Sequence, residues 1–324
     1  MSNRISYFDQ MKGVAIILVV VGHIMQFAFG YSQSDVVRML GIFHMPIFFY
    51  ISGYFLYKEE PDVTGMLCKL YKRVLNLLIP YLVFGMLWCQ FTGTSFIALL
   101  TSGGGSYWFL WVLFLLSTFF IIYGYSLRKI KNEWLYLLLW LVPYGVIIVA
   151  KVFENRIGGG DFLSCNQLNT YYRYFLIGYL CHRYSKMNTF LFKNDIVYAI
   201  AFLLYFIQWR YCNLFNMVLI FCGGMGAIIV LQRYLSNKQN VHNAIMRFLT
   251  WIGGASLPVY VIHYFFIPDI SDYSHLYLDA QNPFIWHLTF SLLLSLPIIV
   301  ACIFVGQLIQ QNKYLNFLFF GKTR

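Results

Sequence analysis

Long apolar runs separated by short polar segments form the main pattern along this chain. An apolar run of about twenty residues is long enough to cross the hydrocarbon core of a bilayer as a helix. Runs near this length predict spans at 13–30, 36–57, 73–91, 107–126, 133–151, 170–182, 195–210, 213–233, 251–268 and 285–309. The sequence therefore predicts an all-α polytopic membrane protein with about ten transmembrane helices. No linker long enough to separate domains occurs, so residues 1–324 are predicted to form a single membrane-embedded domain.

The composition agrees with a membrane protein. Of the 324 residues, 60% are hydrophobic and only 11% are charged, against about 25% charged residues in soluble domains. The net charge of +11 could suggest a nucleic-acid partner, but the positive residues fall in short loops. That distribution is typical of membrane proteins, so the bilayer is the predicted partner and nucleic acid is not.

The loop charges also predict an orientation. With the N-terminus in the cytoplasm, ten spans place the Lys and Arg residues in cytoplasmic loops, apart from Arg38, Lys151, Arg156, Arg173 and Arg210. This bias predicts that both termini are cytoplasmic. The seven cysteines include no C-x-x-C pair, and no H-E-x-x-H motif occurs. No metal site is therefore predicted.

The first apolar run carries ionisable residues into the predicted membrane on one helix face. Lys12 and His23 are eleven residues apart, which in an α-helix is about three turns and roughly 16 Å along the axis. Asp9 lies one turn before Lys12 and can pair with it. If Lys12 is at the membrane edge, His23 lies near mid-depth, where an imidazole needs a partner, a cavity or a chemical function.

Histidines are the candidate reactive groups inside the membrane, because the acidic residues fall outside the predicted spans or at their ends. His23, His44 and His263 are expected to converge in the central to outer half of the bundle. An uncharged imidazole there is a suitable general base. The simpler alternative for each is a polar group that forms a hydrogen bond between helices.

Other candidate site residues each have a simpler structural explanation. Ser52, with the glycine that follows it, permits close helix packing. Lys72 and Arg73 lie at a predicted cytoplasmic helix end, where a basic pair is usually a topology signal but can also hold phosphates. Trp108 is typical of residues at the membrane interface, and Arg173 either extends toward the interface or faces a cavity.

Several groups of residues together resemble the acyltransferase-3 family of polytopic membrane proteins, which modify cell-surface glycans and similar acceptors. Each group is weak alone, but they occur in the family's order over nearly the whole chain. The groups are R-x4-D-x2-K-x10-H in Arg4, Asp9, Lys12 and His23; F-x-M-P-x-F-F-x-x-S-G from Phe43 to Gly53; Lys72-Arg73 with Pro80-Tyr81; Trp108-Phe109-Leu110; Phe175-Leu-Ile-Gly178; and S-x-x-x-Y-x-x-H in Ser256, Tyr260 and His263.

The resemblance implies a ten-helix bundle, in a bacterial cytoplasmic membrane, that takes an acyl group from acyl-CoA on the cytoplasmic side. The group, usually acetyl, would pass to a hydroxyl of a surface polysaccharide or glycan sugar on the other side. The resemblance also implies that His23 is the catalytic histidine and Lys12 its basic companion. The chain is expected to be a stand-alone form, without the extracytoplasmic hydrolase-like domain of some members.

The residues suggest how such a site would work, with His23 either deprotonating the acceptor hydroxyl or briefly carrying the acyl group. Coenzyme A is a polyanion, so Lys12, Lys72 and Arg73 at the inner rim are expected to contact it. Tyr260, His44 or His263 would hold the tautomer of His23. The main alternative is a transporter of an acyl donor or glycan intermediate, and a further one is an assembly partner with a degenerate site. The sequence does not decide whether the protein forms a homo-oligomer or binds glycan-assembly partners.

Overall fold

The structure, a computed structural model, describes residues 5–31, 35–58, 62–101, 105–157, 164–210, 217–238, 243–268 and 284–322. Regular secondary structure in these ranges is helical throughout, without a strand. The prediction of an all-α protein is therefore confirmed. Arg4 of the N-terminal motif lies outside the described residues.

Many of the described helices are long and apolar enough to cross a membrane. Seven meet this condition alone, or nine if each of two bent helix pairs is counted as one span. The chain is thus a polytopic membrane protein. The single helices are Ser6–Ala28, Val36–Leu56, Val63–Thr92, Gly105–Lys129, Glu133–Glu154, Val218–Asn237 and Leu288–Gln311, and the pairs are Ser185–Lys193 with Asp195–Gln208 and Ala244–Gly254 with Ser256–Phe266.

The predicted span limits differ from the observed helices in several places. The predicted seventh span belongs to a bent pair that begins at Ser185, and the predicted ninth span begins earlier, at Ala244. The predicted sixth span, 170–182, lies in the helix Cys165–Arg183, which is too polar to count as a span by composition. The first and third spans begin earlier than predicted, at Ser6 and Val63. Amphipathic first turns explain both shifts, because their polar residues lower the local hydrophobicity without preventing helix formation. Asp9 consequently lies inside the first helix.

The helices are numbered here in chain order. They are α1 (Ser6–His23), α2 (Asp35–Leu56), α3 (Val63–Arg73), α4 (Ile79–Thr92), α5 (Phe96–Thr101), α6 (Trp108–Ser126), α7 (Glu133–Leu139), α8 (Leu141–Ile157), α9 (Cys165–Arg183), α10 (Ser185–Lys193), α11 (Asp195–Arg210), α12 (Met217–Asn237), α13 (Ala244–Gly254), α14 (Ser256–Ile262), α15 (Phe284–Gln311) and α16 (Lys313–Phe320). They form two compact units, one comprising Met1–Ile51 and Tyr184–Leu308 and the other Ser52–Arg183 and Ile309–Arg324.

In the first unit, α1 packs closely against α13 through two glycines. A Cβ atom added to Gly13 would overlap the carbonyl oxygen of Leu249, and one added to Gly253 would overlap the carbonyl oxygen of Asp9. Small residues of this kind let helix backbones approach each other in membranes. This contact sets the position of α1 relative to the segment that follows α13.

In the second unit, the end of α2 packs against α9. A Cβ atom at Gly53 would overlap the carbonyl oxygen of Phe175, which confirms the close helix approach predicted at Ser52 and its following glycine. Aromatic rings fill the adjacent core, where the Tyr172 hydroxyl donates a hydrogen bond of 2.7 Å to the carbonyl oxygen of Trp140. Both Tyr172 and Trp140 are buried.

Candidate active site

His23 lies at a change in helix geometry. It is the last residue of α1, and a π-helical turn, Ile24–Ala28, begins directly after it. The helix from Ser6 to His23 is regular, so Lys12 and His23 share a face as predicted. A second π-helical turn, Val74–Leu78, directly follows Arg73. Such turns are rare and often occur at functional sites.

A bend brings His263 to the same place in the first unit. The helix axis turns by 62° between α13 and the segment that starts with α14. His263 follows α14 and begins a 3-10 turn, His263–Phe266. Its Nε2 atom lies 2.7 Å from Nδ1 of His23. The predicted convergence of these two histidines is thus confirmed.

The hydrogen bonds of this pair assign a tautomer to each neutral ring. Nδ1–H of His263 donates to the carbonyl oxygen of Val259 over 2.9 Å, because a carbonyl oxygen only accepts. Nε2 of His263 is then unprotonated and accepts a hydrogen bond from Nδ1–H of His23. The lone pair of His23 is consequently on Nε2, so this nitrogen is the basic atom of the pair.

Tyr264 occupies the position opposite that basic nitrogen. Its hydroxyl lies 3.3 Å from Nε2 of His23 and donates to it. The His23 ring stacks against His263, with ring centres 5.0 Å apart and planes 8° apart, and contacts Tyr264 at 4.8 Å. His263 and Tyr264 are buried, whereas His23 is half-buried. The geometry shows that a hydroxyl fits within hydrogen-bond reach of Nε2.

Lys12 and Asp9 form the predicted ion pair at the other end of α1. Their charged atoms are 2.7 Å apart, and the Lys12 side chain is 27% exposed whereas the Asp9 side chain is 7% exposed. Asp9 also belongs to the backbone contact with Gly253. The pair therefore lies at the α1–α13 crossing, three helical turns from His23.

Two more predicted residues belong to the first unit. Tyr260 is buried, with its ring centre 6.1 Å from that of His263. His44 is buried on α2 and is close enough to His23 for an electrostatic interaction. Of the three residues expected to hold the tautomer of His23, His263 is the one in direct hydrogen-bond contact with its Nδ1.

The remaining predicted residues belong to the second unit, so a site shared with the histidines stays a prediction for them. Ser52 lies in α2 beside the close contact with α9. Lys72 is exposed and Arg73 half-buried at the end of α3. Trp108 begins α6 and stacks on the ring of Tyr171 at 5.4 Å, and Arg173 lies over the ring of Tyr144 at 6.0 Å.

Sequence reasoning missed Tyr264 and the carbonyl group of Val259. The only local signal for Tyr264 is its place next to His263, and the 3-10 turn that directs its hydroxyl to His23 has no clear sequence signature. Within the described ranges, no three His, Cys, Asp or Glu side chains are grouped so that they could hold a metal ion.

Ionisable side chains inside membrane-spanning segments often mark functional sites. The sequence model of the acyltransferase-3 family, described as "Acyltransferase domain", matches residues 5–304. That match covers most of the chain, and the chain belongs to this family. The family supports an acyltransferase over the transporter alternative.

Two curated relatives carry the name nodulation protein NolL. The one from Sinorhizobium fredii (strain NBRC 101917 / NGR234) is 31% identical over 153 residues, covering 41% of this chain and 40% of the relative. The one from Mesorhizobium japonicum (strain LMG 29417 / CECT 9101 / MAFF 303099) is 27% identical over 173 residues, covering 46% of this chain and 42% of the relative. The chain thus aligns with about two fifths of each relative's length. No solved structure matches the chain.

Proposed function

We propose that this protein transfers an acyl group, in the simplest case acetyl, from acyl-CoA on the cytoplasmic side to a hydroxyl of an extracytoplasmic glycan or polysaccharide. The observation that carries the proposal is the hydrogen bond from Nδ1–H of His23 to His263, which leaves Nε2 of His23 as a base. Family membership supports acyl transfer. The bilayer would be the cytoplasmic membrane of a bacterium.

In this mechanism His23 is the general base. The acceptor hydroxyl takes the place of the Tyr264 hydroxyl, about 3 Å from Nε2. As its oxygen attacks the thioester carbonyl, its proton moves to Nε2 of His23. The carbon–sulfur bond breaks, and the proton passes to the leaving sulfur. The products are the ester of the acceptor and free coenzyme A, and His23 is regenerated.

His263 acts on the reaction through His23. Its bond to the Val259 carbonyl keeps its own Nε2 unprotonated, so Nε2 accepts the Nδ1 proton of His23 and directs the basic nitrogen toward the acceptor. The positive charge that develops on His23 is stabilised by the hydrogen bond to His263 and, through it, by the Val259 carbonyl oxygen. Lys12, Lys72 and Arg73 are proposed to contact the negatively charged coenzyme A part of the donor.

Acyl transfer is tested with the purified protein in liposomes. We expect labelled acetyl-CoA and a surface polysaccharide to give a labelled ester that mild alkali releases, detected by mass spectrometry of the polysaccharide. Liposomes without protein are the control. Label that crosses the membrane without any ester forming would support the transporter instead and overturn the proposal.

Replacing His263 tests how His23 is oriented. His263→Phe keeps a ring but removes the acceptor for Nδ1–H of His23, and an unsatisfied buried donor costs about 1–3 kcal/mol. We therefore expect the turnover rate to fall by about ten-fold to a hundred-fold. His263→Gln supplies an amide oxygen as acceptor and should recover part of that rate. Equal rates for the two variants, measured as initial rates of ester formation, would contradict the orienting function.

A further inference from the structure

The second unit contains a basic, aromatic cavity to which the preceding description assigns no ligand. Its volume is about 550 Å³, within the range of about 300–1,000 Å³ typical of small-molecule sites. Four cationic side chains line it, from the end of α2 and from α3, the turn after α6, and α9. These are Lys58, Lys69, Arg128 and Arg183.

The cations are held near one another. Lys69 is close enough to Lys58 and Arg73 for mutual electrostatic repulsion. Arg183 contacts the carboxylate of Glu133 at 3.5 Å, which offsets only part of this positive charge. Like charges gathered around a cavity concentrate the local field and attract anions. The cavity is therefore suited to a ligand with several negative charges.

Aromatic rings form much of the remaining wall. Tyr57, Tyr125 and Tyr136 line the cavity. The Arg128 guanidinium lies 3.5 Å from the ring centre of Tyr125, and that of Arg183 lies 3.9 Å from the ring centre of Tyr136. Aromatic rings and arginine planes of this kind stack well on nucleobases. The wall thus offers planar surfaces beside the positive charges.

We propose that this cavity binds the phosphorylated nucleotide end of the acyl donor. The inference rests on the proposed function in that acyl-CoA is the donor. Coenzyme A has a 3′-phosphate, a diphosphate and an adenine ring in one end of the molecule. A phosphate monoester alone carries a charge of about −1.5 to −2 at neutral pH, so this end matches both the four cations and the aromatic rings of the cavity.

An anionic phospholipid headgroup would also bring phosphate to this site. It lacks a planar base, however, and would leave the aromatic wall without a stacking partner. The charge bias predicts that all four cations of the cavity lie on the cytoplasmic side. A soluble cytoplasmic nucleotide is the occupant that uses every feature of the cavity.

The test measures nucleotide binding by calorimetry on the full chain in nanodiscs of neutral lipid. The ligands are adenosine 3′,5′-bisphosphate, coenzyme A and adenosine. The variant Lys58→Ala/Arg128→Ala removes two cavity cations, and Lys129→Ala/Lys131→Ala removes the same charge from exposed neighbours that do not line the cavity. We expect the first variant to bind adenosine 3′,5′-bisphosphate about ten-fold more weakly or worse, and the second to bind within about two-fold of the parent.

Three results would overturn the assignment. One is equal loss of binding in both double variants, and another is adenosine 3′,5′-bisphosphate binding no better than adenosine. The third is complete loss of nucleotide binding in nanodiscs that contain anionic phospholipid, which would assign the cavity to headgroups. Because adenosine 3′,5′-bisphosphate has no acyl group, its binding is independent of catalysis. Cavity-dependent binding without ester formation would overturn the proposed function alone.

Discussion

Replacing His23 with alanine is expected to lower the rate of acyl transfer by about a hundred-fold to ten-thousand-fold, the usual contribution of a general base. The substitution removes the Nε2 atom that the hydrogen bonds through His263 make basic. Tyr264 cannot replace it, because a neutral phenol is a far weaker base than an imidazole. The measurement is the initial rate of ester formation from labelled acetyl-CoA in liposomes.

The matched control is His182→Ala, which removes an exposed histidine near the end of α9 and is expected to keep the parental rate. Both variants are first compared with the parent by size-exclusion chromatography and thermal unfolding, so that misfolding is excluded as the cause of a lower rate. If His23→Ala kept more than about a tenth of the parental rate, the general-base mechanism would be wrong.

Gly253→Ala is expected to have the largest effect on stability. The added Cβ would overlap the carbonyl oxygen of Asp9, which is backbone and has no alternative rotamer. Overpacking a tight contact costs about 1–3 kcal/mol and occasionally more. Because the α1–α13 contact is between backbones, we expect the free energy of unfolding to fall by about 3 kcal/mol. The free energy of unfolding, measured by denaturant titration in detergent micelles, checks this result.

Gly41→Ala is the matched control for this change. Gly41 is also helical and in the first unit, but an added Cβ there meets no atom within 4 Å. Alanine is the better helix former by about 1 kcal/mol, so this variant should be as stable as the parent or slightly more so. Similar losses for Gly41→Ala and Gly253→Ala would show that the α1–α13 contact is not as close as the structure has it.

Most of the helices could be predicted from the sequence, because apolar length is a local property that needs no knowledge of neighbours. The Asp9–Lys12 pair was predictable for the same reason, since both residues are in one helical turn. The limits at Ser6 and Val63 were not, because polar residues in an amphipathic first turn resemble a loop. The side chain of Asp62, which accepts a hydrogen bond from the backbone of Gly65, marks the second of these starts.

The site was harder to predict, because it depends on contacts between distant parts of the chain. His23 and His263 are separated by 240 positions; the sequence indicated both as histidines inside the membrane, but it did not show that their rings form a direct hydrogen bond. The chain of hydrogen bonds that runs from Tyr264 through the two histidines to Val259 depends on the bend between α13 and α14 and on the 3-10 turn after α14. The cations of the basic cavity come from four separate segments, and each alone resembles an ordinary topology signal.

Because a wider, π-helical turn follows His23, the chain should tolerate a deletion after this histidine better than a deletion before it. Within the regular helix between Lys12 and His23, deleting one residue would rotate the imidazole by about 100° away from His263. Within Ile24–Ala28, the π-helical turn already holds a surplus residue. A single deletion there would leave an ordinary α-helical turn and keep the spacing from Lys12 to His23, so related sequences should vary in length on one side of the histidine and not on the other.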